Sequence, residues 1–324
     1  MKINNCKIIF SSNKLINKFY FLINLADAGD LNYKFLTTDV VKNVWLSSKN
    51  KKEIIKFINI IKKHDYWDIE NIFCKANHEK QAFKKLQFYC TKKEIQTIQK
   101  VFKLFDSEFE NNYRKISRKR KKEFINLWTK PKYENIKNKL VNLFGDKNVY
   151  NVKVKFVFYN NFDGFLKGRA YDNNIVLGIP NCTKQSKLLE KLIFILLHEL
   201  THVFIKTNEN IKFVIDRAII NKKMQLKFKK FNIHAENFIE ETLIRLFIPQ
   251  GYLFDNKNVR YIDNRKITWA RAIEKTQIHP HSFSMMLLMS MYNTIKLYIQ
   301  KNKPIDEKFI NKMVNITNNK ISIA

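Results

Sequence analysis

Apolar residues recur at helical spacing through the first 130 residues of the chain. In residues 51–63, KKEIIKFINIIKK, the isoleucines and the phenylalanine follow a helical period of about 3.6 residues. Residues 91–105 and 106–128 continue this pattern until Pro131 interrupts it. The pattern predicts a helical N-terminal region over residues 1–130 and gives no indication of its role.

Alternation of apolar and polar residues replaces helical spacing in the middle of the chain. Between residues 149 and 160, VYNVKVKFVFYN, valine and phenylalanine at the even positions from 152 to 158 alternate with Lys153 and Lys155. This is the pattern of a half-buried strand. A second strand is predicted at residues 174–179, NIVLGI, and the glycine-containing residues 162–170 suit a turn or loop.

Helical spacing returns at Ser186, a suitable N-cap residue. The chain from there to Lys206 is apolar on most sides, which is typical of a buried helix. Further helices are predicted at about residues 235–247, 266–276, 282–300 and 305–317. We therefore predict an α+β fold that is mainly helical. Its small mixed sheet is expected to pack on the buried helix in a second domain over residues 131–324.

Charge adds one candidate partner to this picture. The chain has 60 Lys and Arg against 29 Asp and Glu, a net charge of +31, which favours encounters with anionic partners. The basic residues are spread over the whole chain and are densest at residues 114–122, RKISRKRKK. This cluster could bind nucleic acid, but we favour a solvated helix face for it.

Cysteine usage and hydropathy bear on the location of the protein. Cys6, Cys74, Cys90 and Cys182 are scattered without a CxxC spacing, so they indicate neither a zinc ribbon nor a disulfide framework. No apolar run approaches the roughly 20 residues that a membrane-spanning helix needs. Residues 19–28, FYFLINLADA, resemble a signal peptide only weakly, and we favour an amphipathic core helix there. We expect no membrane span and a cytoplasmic location.

The candidate chemistry lies in residues 196–204, LLHELTHVF. His198 and His202 are two of only 7 histidines in the chain, and they stand four residues apart on the predicted buried helix. This spacing places both imidazoles on one face, where they can bind a single Zn²⁺. Glu199 flanks that face and can reach a metal-bound water, as the His-Glu-x-x-His pattern of zinc peptidases requires.

A third protein ligand is expected on a later helix, because a catalytic zinc has three protein ligands and one open position. Residues 234–249, HAENFIEETLIRLFIP, contain three carboxylates, Glu236, Glu240 and Glu241. Glu236 and Glu240 are four residues apart, so one can bind the metal while the other orients a ligand histidine.

These motifs resemble the gluzincin group of zinc metallopeptidases, in which a glutamate on a later helix follows HExxH. The segment AENFIEETLIRLF is similar to the third-ligand helix of lethal-factor-type peptidases. It also resembles that of ImmA/IrrE-type metallopeptidases, with residues 246–249, LFIP, in the Leu-Leu-Met-Pro position. The resemblance covers roughly residues 149–250. It implies a zincin-like domain with Glu236 as third ligand and Glu240 beside it, and a second alignment offers Glu241 instead.

The resemblance implies a zinc-dependent metallopeptidase that cleaves a protein or peptide substrate, with Glu199 as general base. In zincin folds, the strand nearest the active-site helix is an edge that pairs with the substrate. The candidate strand is the stretch Asn174, Ile175, Val176, Leu177 and Gly178. The oxyanion needs a second donor beside zinc. The candidates are His234, Tyr252, His279 and His281.

Two other functions stay open at the level of sequence. The chain could be a basic nucleic-acid-binding or regulatory protein that uses residues 114–122 and has a sensing or inactive zinc site. It could also be a helical scaffold without a metal.

Overall fold

The computed structural model describes residues 6–26, 50–146, 150–159, 168–180, 186–220, 222–231, 233–248, 252–253, 268–273 and 277–323. The strands are β1 (Cys6–Ser12), β2 (Tyr150–Tyr159), β3 (Gly168–Tyr171) and β4 (Asn174–Pro180). The first helices are α1 (Lys14–Ala26), α2 (Lys51–Lys63), α3 (Tyr66–Lys75), α4 (Glu79–Leu86), α5 (Lys92–Leu104), α6 (Asp106–Trp128) and α7 (Pro131–Phe144). The later helices are α8 (Ser186–Thr207), α9 (Glu209–Ile219), α10 (Lys222–Lys230), α11 (Ala235–Arg245), α12 (Trp269–Ala272), α13 (Pro280–Gln300) and α14 (Glu307–Ile323).

The predicted fold class is confirmed, because the chain is mainly helical with a small mixed sheet. The four strands lie in the order β1-β2-β4-β3. β4 pairs in parallel with β2 and antiparallel with β3. β1 and β3 are short strands that the sequence pattern did not reveal, since β3 has four residues and falls in the predicted loop.

The prediction that β4 offers an edge to substrate is wrong. Asn174, Ile175, Val176 and Leu177 pair with β2 on one side and with β3 on the other. Gly178 pairs with Val157 of β2. Over residues 174–177 the main-chain hydrogen-bonding groups are therefore committed to neighbouring strands, and a substrate strand has no free edge there.

The chain divides into two compact units. The C-terminal unit contains Met1–Lys7, Lys130–Tyr150 and Phe194–Ala324, and the N-terminal unit contains Ile8–Thr129 and Asn151–Ile193. One border between the units falls between Thr129 and Lys130. The segment Asn151–Ile193 nevertheless groups with the N-terminal helices and not with the later ones. Its strands share their sheet with β1, which explains the difference.

The N-terminal unit has an aromatic core between its helices. Helix α1 buries Phe19 as well as Leu22 and Ile23, so its predicted role as a core helix is confirmed over the described residues. Phe73 of α3 stacks on Phe19 with ring centroids 4.7 Å apart and on Phe102 of α5 at 5.2 Å. Such pairs add specific geometry to the burial of large apolar side chains.

Strand β2 departs from the alternating pattern at Lys155. This side chain is buried, although the sequence predicts a solvent-facing position. Its amino group donates to the carbonyl oxygen of Cys74, near the C-terminus of α3. A buried amine is tolerated here because a helix C-terminus leaves backbone carbonyls in need of donors.

The C-terminal unit packs α8 with the helices that follow it. Asn208, between α8 and α9, donates to the carbonyl oxygen of Phe144 at 2.9 Å. The ring of Phe247, just after α11, lies 5.1 Å from that of Phe144 and 5.9 Å from that of Phe309. These contacts fix the ends of α8 and α11, which bear the predicted zinc ligands.

The remaining differences in helix assignment are local. α9 and α10 were not predicted, and of the predicted helix at 266–276 the described residues show only α12. The basic residues 114–122 lie on α6, as predicted, but the side chains of 112–119 are outside the described residues. None of the helices in the described ranges combines the length and the apolar character needed to cross a membrane.

Candidate metal centre

Helix α8 carries the HExxH motif within an otherwise apolar sequence. Leu196, Leu197, Leu200 and Val203 are all buried, so the helix has little freedom to rotate about its axis. The ring of Phe204 also lies 4.9 Å from that of Tyr150. His198 and His202 therefore project from a helix whose orientation is set by packing.

Helix α11 is held in a comparable way. Phe238 lies between the rings of Phe228 and Phe283, each with a centroid distance of 5.1 Å. Leu243 and Ile244 are also buried. This packing turns the face that contains Glu240 and Glu241 toward α8.

Three donor groups from these two helices converge on one point. The Nε2 atoms of His198 and His202 are 3.2 Å apart. Glu241 Oε1 lies 3.1 Å from His202 Nε2, and Glu241 Oε2 lies 3.5 Å from His198 Nε2. All three ligand atoms fall within 4.8 Å of one another.

Glu240 contacts the opposite side of the His202 ring. His202 Nδ1 donates to Glu240 Oε1 at 2.5 Å, and the Glu240 side chain is buried. Burial alone lowers the pKa of His202, but hydrogen bonds to Glu240 and Glu241 outweigh it and raise the pKa to about 9. Glu240 thus contacts the ring nitrogen of His202 that faces away from His198 and Glu241.

Three side chains contact the Glu241 carboxylate: His198, His202 and Arg245. Burial tends to raise its pKa, but hydrogen bonds from His198 and His202 outweigh burial and hold the pKa well below its usual range. Arg245, one turn further along α11, donates from Nε to Glu241 Oε2 at 3.3 Å. Arg245 was not among the predicted site residues, although its spacing of four residues from Glu241 is a signal for such a pair.

Glu241 takes the position for which the sequence favoured Glu236, which corrects that choice. Glu236 is exposed and lines a separate cavity of about 420 Å³ with His234 and Lys229. Residues five positions apart on a helix differ in direction by about 140°. Packing that turns Glu241 toward the histidines therefore turns Glu236 away from them.

The other predicted site residues lie in several environments. Glu199 is buried on α8, and its charge helps to raise the pKa of His202. Tyr252 is buried, with its ring 5.4 Å from that of Tyr292. His279 precedes α13, where its backbone N–H donates to the carbonyl oxygen of Ala272 at 2.9 Å.

His281 is linked electrostatically to the candidate metal centre. Partial burial and the positive charge of Arg245 lower the pKa of His281 below its usual value. Arg245 in turn contacts Glu241. His234, by contrast, is exposed at the start of α11 in the cavity that Glu236 lines.

The donor set fits Zn²⁺. Two imidazole nitrogens and one carboxylate are a known catalytic zinc set. Bonds of about 2.0–2.1 Å in a tetrahedron require donors about 3.3 Å apart. The two Nε2 atoms are 3.2 Å apart, and Glu241 approaches them with different oxygens, Oε1 at 3.1 Å from His202 and Oε2 at 3.5 Å from His198. A carboxylate on the second nitrogen of a ligand histidine is the usual outer partner in zinc sites, and Glu240 supplies it.

A second cluster, His64, Cys90 and Glu94, brings potential donors together in the N-terminal unit. Both oxygens of Glu94 are already used, because Oε2 accepts from the backbone N–H of Thr91 and Oε1 from Lys63 Nζ, each at 2.8 Å. Burial raises the pKa of the Cys90 thiol to about 11, which keeps it protonated. Helix capping and an ion pair account for this cluster without a metal.

Comparison with known proteins adds no family to this picture: no protein-family model, no curated protein and no solved structure matches the chain.

Proposed function

We propose that the chain is a zinc-dependent metallopeptidase of the gluzincin type. The observation that carries this proposal is the convergence of His198, His202 and Glu241 at separations that suit a tetrahedral zinc. The presence of Glu199 inside the same HExxH motif supports a hydrolytic site over a purely structural one.

Each residue has a separate role in this proposal. His198, His202 and Glu241 would hold Zn²⁺, and Glu240 would fix the orientation of the His202 ring through Nδ1. When bound, the zinc ion supplies a Lewis acid that polarises a carbonyl and makes water a stronger nucleophile at neutral pH.

Glu199 would act as the general base. Its carboxylate takes a proton from the attacking water and passes it to the departing amine. The Glu199 side chain is buried and follows His198, a zinc ligand in this proposal. Little bulk water therefore competes with the attacking water for the Glu199 carboxylate. Hydrolysis of a peptide bond needs both transfers, and one carboxylate can perform them in succession.

The substrate class and location belong to the same proposal. We infer a peptide or protein substrate from the zinc peptidase pattern. The free thiols of Cys6, Cys74 and Cys90 fit a reducing compartment such as the cytoplasm.

The experiment that tests this function compares the purified protein with the variant Glu199→Gln. We expect both to bind about one zinc per chain, because Glu199 is not a ligand, and only the wild type to cleave peptides in a proteome-derived library. Loss of general-base catalysis should lower the rate by roughly 10²-fold or more.

A matched control is Glu209→Gln, an exposed carboxylate in the first turn of α9. It should retain both zinc and hydrolysis. Cleavage by Glu199→Gln at the wild-type rate would show that Glu199 is not the base. A wild-type protein that binds zinc and cleaves no peptide would count against the peptidase itself.

A further inference from the structure

The connection between α4 and α5 exposes two aromatic side chains among lysines. Residues 84–93, KKLQFYCTKK, form what we call the 84–93 turn. Phe88 at its tip is 83% exposed and Tyr89 is 45% exposed. We propose that the 84–93 turn binds the surface of a membrane that contains anionic lipids.

Backbone hydrogen bonds and buried neighbouring residues hold the turn that exposes Phe88. The backbone N–H groups of Phe88 and Tyr89 donate to the carbonyl oxygens of Lys85 and Leu86 at 3.2 and 3.0 Å. Leu86 and Cys90 are buried on the inner side of the turn. The fold therefore holds the aromatic rings outward, where each costs free energy by its contact with water.

The start of α5 fixes the other end of the turn. Thr91 and Glu94 form a capping box, with Glu94 Oε2 accepting from the backbone N–H of Thr91 at 2.8 Å. This arrangement satisfies donors at the helix N-terminus. The surface is thus largely preorganised, and little ordering entropy is lost on binding.

Positive charge flanks the exposed rings on both sides along the chain. Lys84 and Lys85 end α4, and Lys92 and Lys93 begin α5. Lysines in the first helical turn oppose the helix dipole, so Lys92 and Lys93 do not serve the stability of α5. In the described part of the chain these four lysines form no ion pair, while the nearby Glu94 is neutralised by Lys63 at 2.8 Å.

This combination suits an anionic lipid surface. An apolar ring can insert at the boundary between headgroups and acyl chains, and tyrosine settles at headgroup level. Lysines around the inserted ring gain about 1 kcal/mol each from anionic lipids, which is about a 5-fold gain in binding per lysine.

A single-stranded nucleic acid is the alternative partner for exposed aromatic and basic residues. Proteins that bind such strands use a groove that follows the backbone, with rings on which successive bases stack. Phe88 is 83% exposed, and lysines flank it in sequence on both sides. A ring exposed to this extent does not lie inside a groove, so it fits a flat layer of lipids better than it fits a strand.

Sedimentation of the full chain with vesicles tests the proposal. The probes are vesicles of pure phosphatidylcholine and vesicles of phosphatidylcholine and phosphatidylserine in about equal amounts. We expect binding to the anionic vesicles alone. The variant Phe88→Ser should weaken it by at least about 10-fold, and replacement of the four lysines by glutamine should weaken it by more than about 100-fold.

Control variants separate this surface from the general positive charge of the chain. Ile55→Ser removes another exposed apolar side chain, and the pair Lys301→Gln and Lys308→Gln removes exposed lysines elsewhere. These variants should bind anionic vesicles about as the wild type does. If they weaken binding as much as the changes in the 84–93 turn do, the proposal is overturned in favour of unspecific charge attraction.

The variant Phe88→Leu distinguishes insertion from base stacking. Leucine keeps the apolar character that insertion needs but has no aromatic face. Vesicle binding by Phe88→Leu close to wild type supports the proposal. Its loss would overturn insertion of the Phe88 side chain, and tight binding of an oligouridine that depends on Phe88 being aromatic would assign the surface to a nucleic acid instead.

Discussion

At the residue scale, the candidate metal centre depends on the direction in which a few side chains leave their helices. His198 and His202 share one face of α8 because they are four residues apart. Glu240 and Glu241 are adjacent on α11, so their side chains leave the helix in different directions. Glu240 contacts Nδ1 of the His202 ring, and Glu241 contacts Nε2. Two nitrogens of one imidazole thereby acquire different partners, which is the arrangement that orients a metal ligand.

The pKa of His202 predicts a pH dependence for the metal-free protein. Its carboxylate partners outweigh burial and raise the pKa to about 9. Because this value lies above the ordinary one, the protonated ring stabilises the fold fully below about pH 6.5. This contribution is lost as the pH rises through about 9. Thermal unfolding of the metal-free protein should therefore show a melting temperature that falls between pH 7 and pH 9.

Zinc binding should depend on pH in the opposite sense to the melting temperature of the metal-free protein, because a metal must displace the proton from His202. The apparent affinity for zinc, measured by competition with a chelator, should increase over the same pH range. The variant His202→Gln provides the control and should lose the fall in melting temperature. A melting temperature of the wild type that rises from pH 7 to pH 9 would contradict the assigned ion pairs.

At the element scale, much of the fold could be predicted where periodicity is strong. The core helix α1, the HExxH helix α8 and the strands β2 and β4 could be predicted, because their apolar residues recur with a clear helical or strand period. The structure contains all four elements. β3 has four residues, too few to show a period. The sequence of β4 is typical of a buried strand. β4 lies inside the sheet only because β3 pairs with it, and since β3 was not predicted, β4 was wrongly expected at the edge of the sheet.

The choice between Glu236 and Glu241 has a similar explanation. The sequence shows that α11 bears carboxylates, but only the rotation of the helix decides which one faces α8. That rotation follows from contacts with other helices, such as those of Phe238 with Phe228 on α10 and with Phe283 on α13. A single sequence contains no direct signal for such contacts.

The aromatic core of the N-terminal unit gives a prediction about stability. Phe73 is fully buried and touches the rings of Phe19 and Phe102. Replacement by alanine leaves a cavity, and we expect Phe73→Ala to lower the free energy of unfolding by about 3–5 kcal/mol. Denaturant titration followed by circular dichroism measures this change.

The matched control for Phe73→Ala is Phe88→Ala, the same substitution at a side chain that is exposed. It should change the free energy of unfolding by less than about 0.5 kcal/mol. Equal effects of the two substitutions would show that α1, α3 and α5 do not pack around Phe73 as described.

At the scale of the whole molecule, the excess of basic residues is the dominant feature. A net charge of +31 acts against a compact state through mutual repulsion of the surface charges. The pairs that the described residues form, such as Lys14 with Glu110 and Lys75 with Asp172, neutralise part of this charge. With 60 basic residues against 29 acidic ones, about half of the basic residues have no acidic counterpart.

Salt should therefore stabilise the protein. Raising sodium chloride from a low concentration to about 0.1 M shortens the screening length to about 10 Å and weakens the repulsion. We expect the melting temperature at pH 7 to rise over this range by several degrees, in calorimetry with the metal content held constant. A fall would mean that attractive ion pairs outweigh repulsion in this chain.

The most direct test of the candidate metal centre is zinc analysis of three proteins purified side by side: the wild type, Glu241→Gln and Glu236→Gln. Both substitutions change a carboxylate on α11, but only Glu241 contacts the two imidazoles. We predict about one zinc per chain in the wild type and in Glu236→Gln, and a loss of zinc in Glu241→Gln. Retention of zinc by Glu241→Gln together with its loss from Glu236→Gln would contradict the site, as would a wild-type protein that binds no zinc.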